Sequence, residues 1–415
     1  MHKHNKIIGL LAAIGVAGPG VALATNGYFA EGYGMKASGM AGVGIALPQD
    51  ALAAATNPAG MVLVGDRVDV GLTWFKPTRG AEVTAPNPTA GTLDGNDTAN
   101  FFIPEFGYNR MISSDKSLGV SVYGNGGMNT SYKNGVPLFG QAPGGVDLAQ
   151  LFVAPTFAFK ANKDHAFGVA VNFAYQRFKA DGLQNFVGSS SAPSSLTNNG
   201  YDSSTGWGVH LGYTGQIASN VTVGVTWQSR TKMSKLDKYK GLFAEQGGMD
   251  IPETYGIGIA VKPVEPLTVA FDIQRIKYGS IASVANTVDC IYTGCKLGDN
   301  NGPGFGWQDL TAYKLGLAYE VSKALTLRGG YSTTRQPIPA SQTMFNIIAP
   351  GVVEQHVTLG ATWAMSPTSE MTVGYQHAFT KTVSGVNSIG APYGGGNANI
   401  HLKEDALGIA FGWKL

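Results

Sequence analysis

The stretch HAFGVAVNFAYQRF, residues 165–178, alternates without a break. Phe167, Val169, Val171, Phe173 and Tyr175 fall on one side of an extended chain; Ala166, Gly168, Ala170, Asn172, Ala174 and Gln176 fall on the other. Successive side chains of a strand point to opposite faces, so this ribbon has a bulky apolar side and a small or weakly polar side. A strand of a water-soluble sandwich also alternates, but its polar side is usually charged and meets bulk water. Small inside and bulky outside is the pattern of a barrel wall bathed in lipid.

The same test reads fourteen strands along the chain, at 67–76, 101–110, 117–125, 150–160, 165–178, 206–215, 220–229, 254–262, 267–278, 310–320, 324–333, 356–365, 370–380 and 403–414. A tilted strand needs about 9–11 residues to cross a bilayer, and most of these segments have that length. The gaps alternate between short (111–116, 161–164, 216–219, 263–266, 321–323, 366–369) and long (77–100, 126–149, 179–205, 230–253, 279–309, 334–355, 381–402). Short turns on one side and long loops on the other, with an even strand number, are the habit of bacterial outer-membrane barrels. Trp74, Trp207, Trp227, Trp363 and Trp413 share the outward parity near strand ends, as an interfacial aromatic girdle requires. The last strand, with Leu407, Ile409, Phe411 and Trp413 on one face, suits closure against the first.

Composition agrees. Of 415 residues 58 are Gly and only 13% are charged, with a net charge of +2. That charge is too small to attract nucleic acid. No internal run approaches the ~18 apolar residues of a membrane helix. The fold expected is all-β: a 14-stranded antiparallel transmembrane β-barrel.

The N-terminus reads as an export signal. His2, Lys3, His4 and Lys6 precede an apolar run from Ile7 to Leu23, broken by Gly18-Pro19-Gly20. Ala22-Leu23-Ala24 supplies a small-x-small cleavage pattern. Residues 1–24 are therefore expected to be removed near Ala24, 25–66 to precede the wall, and 67–415 to form it. The destination is the outer membrane of a bacterium. Export makes a Cys290–Cys295 disulfide the default in "DCIYTGCK". No further ligands stand near these cysteines, so no metal is expected, and no cofactor is implied.

A barrel of fourteen strands has a lumen wider than its own wall residues fill. Residues 25–66, Gly- and Ala-rich with few charges, are the material to plug it. Asp50-Ala51-Leu52-Ala53 could start a short helix, and Asn57-Pro58 resists helix and favours an abrupt turn.

The chain resembles the FadL/TodX-type outer-membrane transporters of long-chain fatty acids and aromatic hydrocarbons. The resemblance is carried by Gly39–Gly44 followed by Asp50-Ala51 and Asn57-Pro58-Ala59, by Tyr175 to Ala180, by Trp307-Gln308-Asp309 and by Pro337-Ile338-Pro339. It implies a monomeric barrel with an N-terminal hatch (plug), in which Asn57, Pro58 and Ala59 would be the gate that shifts when ligand binds. It also implies an inward kink in strand three, at Gly124, Asn125, Gly126 and Gly127, where these glycines weaken ladder pairing. Ligand would leave there sideways into the bilayer.

The expected function is uptake of hydrophobic small molecules, first of all long-chain fatty acids, with neutral aromatics or alkanes as the alternative. A general diffusion porin is the alternative of another class. Apolar loop residues Leu138, Phe139, Leu183, Phe186, Leu242 and Phe243 are candidates for the outer binding groove. By parity Lys314 and Arg328 point inward and are candidates for holding a carboxylate; pairing with Glu105, Asp272 or Glu320 is the competing reading. Arg177, outward near the rim, could contact lipopolysaccharide phosphates. Outer-membrane lipid and lipopolysaccharide are the expected surroundings. No GxSxG motif and no spaced Ser-His-acid set occurs, so no catalytic residue is assigned and no enzyme is expected.

Overall fold

In the computed structural model residues 25–415 are described; the expected leader and its cleavage point near Ala24 lie outside the described residues. Fourteen long strands form the wall: β1 (Arg67–Val83), β2 (Phe101–Ser113), β3 (Lys116–Tyr132), β4 (Gly144–Lys160), β5 (His165–Asp181), β6 (Asp202–Ala218), β7 (Val221–Gln228), β8 (Thr254–Val264), β9 (Leu267–Ile276), β10 (Leu310–Ser322), β11 (Leu325–Thr334), β12 (Gln355–Ala364), β13 (Ser369–Val383) and β14 (Ala398–Lys414). Each pairs antiparallel with the next, and β14 returns to β1 in a ladder from Ala398↔Val83 to Lys414↔Arg67. Closure removes the sheet edge, as a lipid-embedded sheet demands.

The faces follow the sequence pattern. Phe167, Val169, Phe173 and Tyr175 are exposed on β5, while Ala166, Gly168, Ala170, Asn172, Ala174 and Gln176 are buried. Trp207, Trp227, Trp363 and Trp413 are exposed and Trp74 is half-exposed. Every expected strand is present, and the short-turn, long-loop alternation holds around the barrel.

Several strands run further than the alternation indicated. β1 continues to Val83, β3 to Tyr132, and β4 begins at Gly144. Beyond the hydrocarbon an apolar outer face is no longer required, so backbone pairing continues where the side-chain pattern stops.

Residues 25–66 lie against the inner wall and are largely buried. They form a tiny hairpin pairing Thr25 with Ala30 and Asn26 with Phe29, a single helical turn at Met35–Ser38, and 3-10 turns at Ala53–Ala55 and Pro58–Leu63. The abrupt turn expected at Asn57-Pro58 is the start of a helical turn. Asn57 caps it by accepting from Ala59 N–H at 3.1 Å. Pro58 follows at the first helical position, where its missing N–H has no partner to lose. The inner wall is built for this contact: a Cβ on Gly212 would stand 1.9 Å from Asn57 Oδ1, so only glycine fits.

Candidate functional site

Between β2 and β3 the wall parts at a seam. β2 and β3 pair only from Phe106↔Val122 to Ser113↔Lys116. Further along, Phe101–Glu105 still pair with β1, and Tyr123 onward still pairs with β4, but not with each other. The β3–β4 register shifts between Gly124 and Gly126, leaving Asn125 as a bulge. Bulges bend a strand and re-aim its residues. Here the bent part of β3 meets the N-terminal segment: Gly126 pairs with Phe29, and Gly127 N–H donates to Tyr28 O at 2.9 Å. A Cβ on Gly126 would fall 1.8 Å from Tyr28 O, so the contact requires glycine.

The bulge is tied on both sides. Tyr33 Oη donates to Asn125 O at 3.1 Å. Asn125 Nδ2 donates to Gln150 Oε1 at 3.0 Å, and Gln150 Nε2 to Gln176 Oε1 at 2.8 Å. This amide chain crosses the inner faces of β3, β4 and β5.

Among the described residues, cavities occur among the long loops, below them and at this seam. The outermost, about 400 Å³, is lined by Phe139, Leu183, Phe186, Leu242, Phe243 and Phe345 from four loops, with Phe305 from a fifth. A deeper one, about 380 Å³, shares Phe243 and Phe305 with it and adds Tyr28, Met128, Phe178, Met249 and Trp307. Beside its Met128 lies a smaller cavity with Thr25, Phe75, Arg79 and Glu404. The fourth, about 520 Å³, lies at the seam and is lined by Glu31, Tyr33, Met35, Glu105, Tyr123 and Gly124 among others. The outer two contain no Asp, Glu, Lys, Arg or His in their lining.

The sequence candidates divide accordingly. Phe139, Leu183 and Phe186 line the outermost cavity. Leu138 is buried but lines none of the four. Lys314 and Arg328 point inward as parity required, yet neither lines any of these cavities. Lys314 Nζ donates to the backbone oxygen of Glu31; Arg328 donates to Thr362 Oγ1 at 2.6 Å and Gln49 Oε1 at 3.2 Å. Among the described residues neither forms an ion pair with Glu105, Asp272 or Glu320. Two of those acids serve the same segment, Asp272 accepting from Gly44 and Ile45 N–H and Glu105 from Gly34 N–H, while Glu320 is exposed. Asn57 Nδ2 adds bonds to Ile45 O at 2.7 Å and to Tyr213 O of β6 at 2.9 Å. Arg177 pairs with Asp147 at 3.7 Å and lies over the Tyr201 ring. Cys290 and Cys295 are joined in the loop between β9 and β10.

Sequence reasoning missed the aromatic floor of the deep cavity. Tyr278 Oη accepts from Tyr28 and Phe29 N–H and donates to Asn26 O at 2.6 Å. It thus fixes the hairpin under Trp307, whose ring meets Tyr28 at 5.7 Å and Tyr278 at 5.2 Å. Tyr28 and Trp307 lie outside the alternating segments, and Tyr278, counted as the last residue of the segment 267–278, falls just past the observed strand end at Ile276, so no periodicity marks the group. Buried Arg79 was also missed; its guanidinium donates to the neutral acceptors Asn129 O and Oδ1 and Thr98 O.

A family model described as "Outer membrane protein transport protein (OMPP1/FadL/TodX)" matches residues 15–414. The chain belongs to the FadL/TodX family. It is accordingly an outer-membrane transporter of hydrophobic compounds. Solved structures share the fold: the Pseudomonas putida toluene transporter TodX (TM-score 0.71, 17% identity, 93% of this chain and 99% of that one) and a Pseudomonas aeruginosa FadL homologue (0.71, 15%, 94% and 99%). The Ralstonia pickettii toluene transporter TbuX is a third (0.64, 16%, 93% and 99%). A search of curated protein sequences gives no match.

Proposed function

We propose that this protein admits uncharged hydrophobic molecules of roughly monoaromatic size and releases them sideways through the β2–β3 seam. One observation carries this choice over fatty acids: the two outer cavities share Phe243 and Phe305 and have no charged side chain in their lining. A carboxylate moved from water into such a site without a cation or strong donors costs several kcal/mol. Aromatic walls of Phe186, Phe243, Phe305 and Trp307 suit a flat apolar guest. The toluene transport named for TodX and TbuX supports the same reading.

The path begins among the loops, descends past Phe243 to Trp307, and ends at Gly124–Gly127. Residues 25–66 act as the hatch, with Asn57, Pro58 and Ala59 as its anchor on β6, and the exported chain is cleaved near Ala24. Lys314 and Arg328 hold the hatch and do not bind ligand. Fatty-acid uptake is the second reading, favoured by Arg79 beside the smaller cavity. Competition between toluene and oleate for purified protein separates the two. Saturable toluene binding that oleate does not displace is expected; oleate binding abolished by Arg79→Gln would replace this proposal by the second.

A further inference from the structure

The seam cavity differs chemically from the cavities above it. It is framed by the strands that part: Ile103 and Glu105 from β2, Tyr123 and Gly124 from β3, with Glu31, Tyr33 and Met35 from the inner segment. Glu31 and Tyr123 are 1% and 2% exposed. Glu31 Oε2 accepts from Asn26 Nδ2 at 2.6 Å, but Glu31 Oε1 has no hydrogen-bond partner, and neither has Tyr123 Oη. Buried polar atoms are nearly always paired, and an unpaired one costs about 1–3 kcal/mol. Two residues that line one cavity at the parted seam each carry such an atom, and a guest with a polar group would satisfy them. No Lys, Arg or His stands in the lining, and Lys314 is occupied by the Glu31 backbone. A carboxylate guest would therefore meet the carboxyl groups of Glu31 and Glu105, while His356 Nδ1, 3.8 Å from Glu31 Oε2, already faces that carboxylate and stands outside the lining. A hydroxyl fits: it is donor and acceptor at once.

We infer that the seam cavity is a binding site for uncharged hydrophobic molecules carrying a hydroxyl group, of the alkylphenol class, with Glu31 accepting the hydroxyl proton and Tyr123 donating to its oxygen. The inference rests on the proposed path, because it places the site at the path's end. Met35, Ile103 and Ala406 supply the apolar remainder of the lining. The site then selects at the exit for a feature the outer cavities do not sense.

The test compares 4-methylphenol with toluene, which differ only in the hydroxyl, on the purified full chain in detergent, each corrected for micelle partitioning. The expected result is a preference for the phenol of about tenfold. Tyr123→Phe should remove most of it and Glu31→Gln should reduce it, with toluene affinity changed less than twofold. Equal affinities in the unmodified protein, or a preference that survives in both variants, overturns the inference. If toluene fails to bind while the phenol preference stands, the proposed function falls and the site does not. Photolabelling of the unmodified protein with 4-azidophenol needs no variant. Label on Tyr33, Ile103 or Tyr123 is expected, and label confined to the cavities around Phe243 and Phe305 overturns the site.

Discussion

Tyr33 of the inner segment donates its hydroxyl to the carbonyl oxygen of Asn125, the residue that bulges from β3, at 3.1 Å. The two rings Tyr33 and Tyr123 pack 4.7 Å apart beside this bond. One side chain therefore joins the segment inside the barrel to the bend in its wall, at the edge of the seam cavity. If molecules leave through the seam, Tyr33 stands in their way. Tyr33→Phe removes only the hydrogen bond, worth about 1 kcal/mol; Tyr33→Ala removes the ring as well. Toluene uptake by cells should rise roughly fivefold for the phenylalanine variant and further for the alanine variant, with heat-modifiable migration unchanged. Unaltered uptake in both would place the exit elsewhere.

Asn57 holds the segment to β6 with one amide, bonded to Ile45 O at 2.7 Å and Tyr213 O at 2.9 Å. Asn57→Ala strands the buried Ile45 carbonyl and removes the tie to Tyr213 O, and should loosen the segment by about 1–3 kcal/mol. Gly212→Ala should act more strongly, because its methyl group would overlap Asn57 Oδ1. Met61 lies in the same turn and is fully buried. A Met61→Cys probe is then the single free thiol, since Cys290 and Cys295 are bonded. Maleimide should label it several-fold faster in either background, while the barrel itself still resists unfolding on gels.

The wall was legible because hydrocarbon imposes one rule on every residue that crosses it. Phe173 must face out and Asn172 in, and a register slip would bury the wrong set. Where that rule lapses, the reading lapsed too. Arg79 sits on the extension of β1 beyond Pro77, outside the lipid-facing pattern, and is nonetheless buried. The bulge at Asn125 could be suspected from its glycines. The loss of β2–β3 pairing could not, because it depends on Phe29 taking the place beside Gly126. Lys314 shows the same limit: parity gave its direction, but its partner is a backbone oxygen of Glu31, 283 residues away. The deep cavity gathers Tyr28, Met128, Phe178, Phe243 and Trp307 from five separate segments, and no local pattern announces such a meeting.

The loop that carries Trp307 is pinned by Asp309. Its carboxylate accepts from Lys277 Nζ at 2.6 Å, Arg275 Nη2 at 3.2 Å and Gly279 N–H at 2.8 Å. Partial burial pushes the Asp309 pKa up, but these donors outweigh it and hold the group below its ordinary value. A lowered carboxylate stabilises the loop fully above the ordinary value, about 4, and loses that effect as pH falls through the lowered one. Hydrogen exchange of residues 277–309, corrected for intrinsic rates, should therefore be steady from pH 8 to 5 and accelerate as the pH falls below the ordinary carboxylate value of about 4. Asp309→Asn should show the faster exchange at every pH, and toluene binding should weaken with it.

Leu359 lies in the middle of β12, on its outward face, and is 65% exposed. In water an exposed leucine could become lysine at no cost. In a bilayer the same change buries a charge in hydrocarbon, at about 2–4 kcal/mol near the midplane. Leu359→Lys should lower the unfolding free energy in lipid vesicles by that amount, and Leu359→Ala by much less. Thr358, its neighbour on the strand, is buried and faces inward, where its hydroxyl accepts from Ala41 N–H at 2.8 Å. Thr358→Val should cost about 1–3 kcal/mol through that unpaired amide, with no dependence on the surrounding lipid. Two adjacent residues that respond to different solvents, one to lipid and one to the packed interior, would establish which side of the wall meets the membrane; a lysine tolerated at position 359 would reverse it.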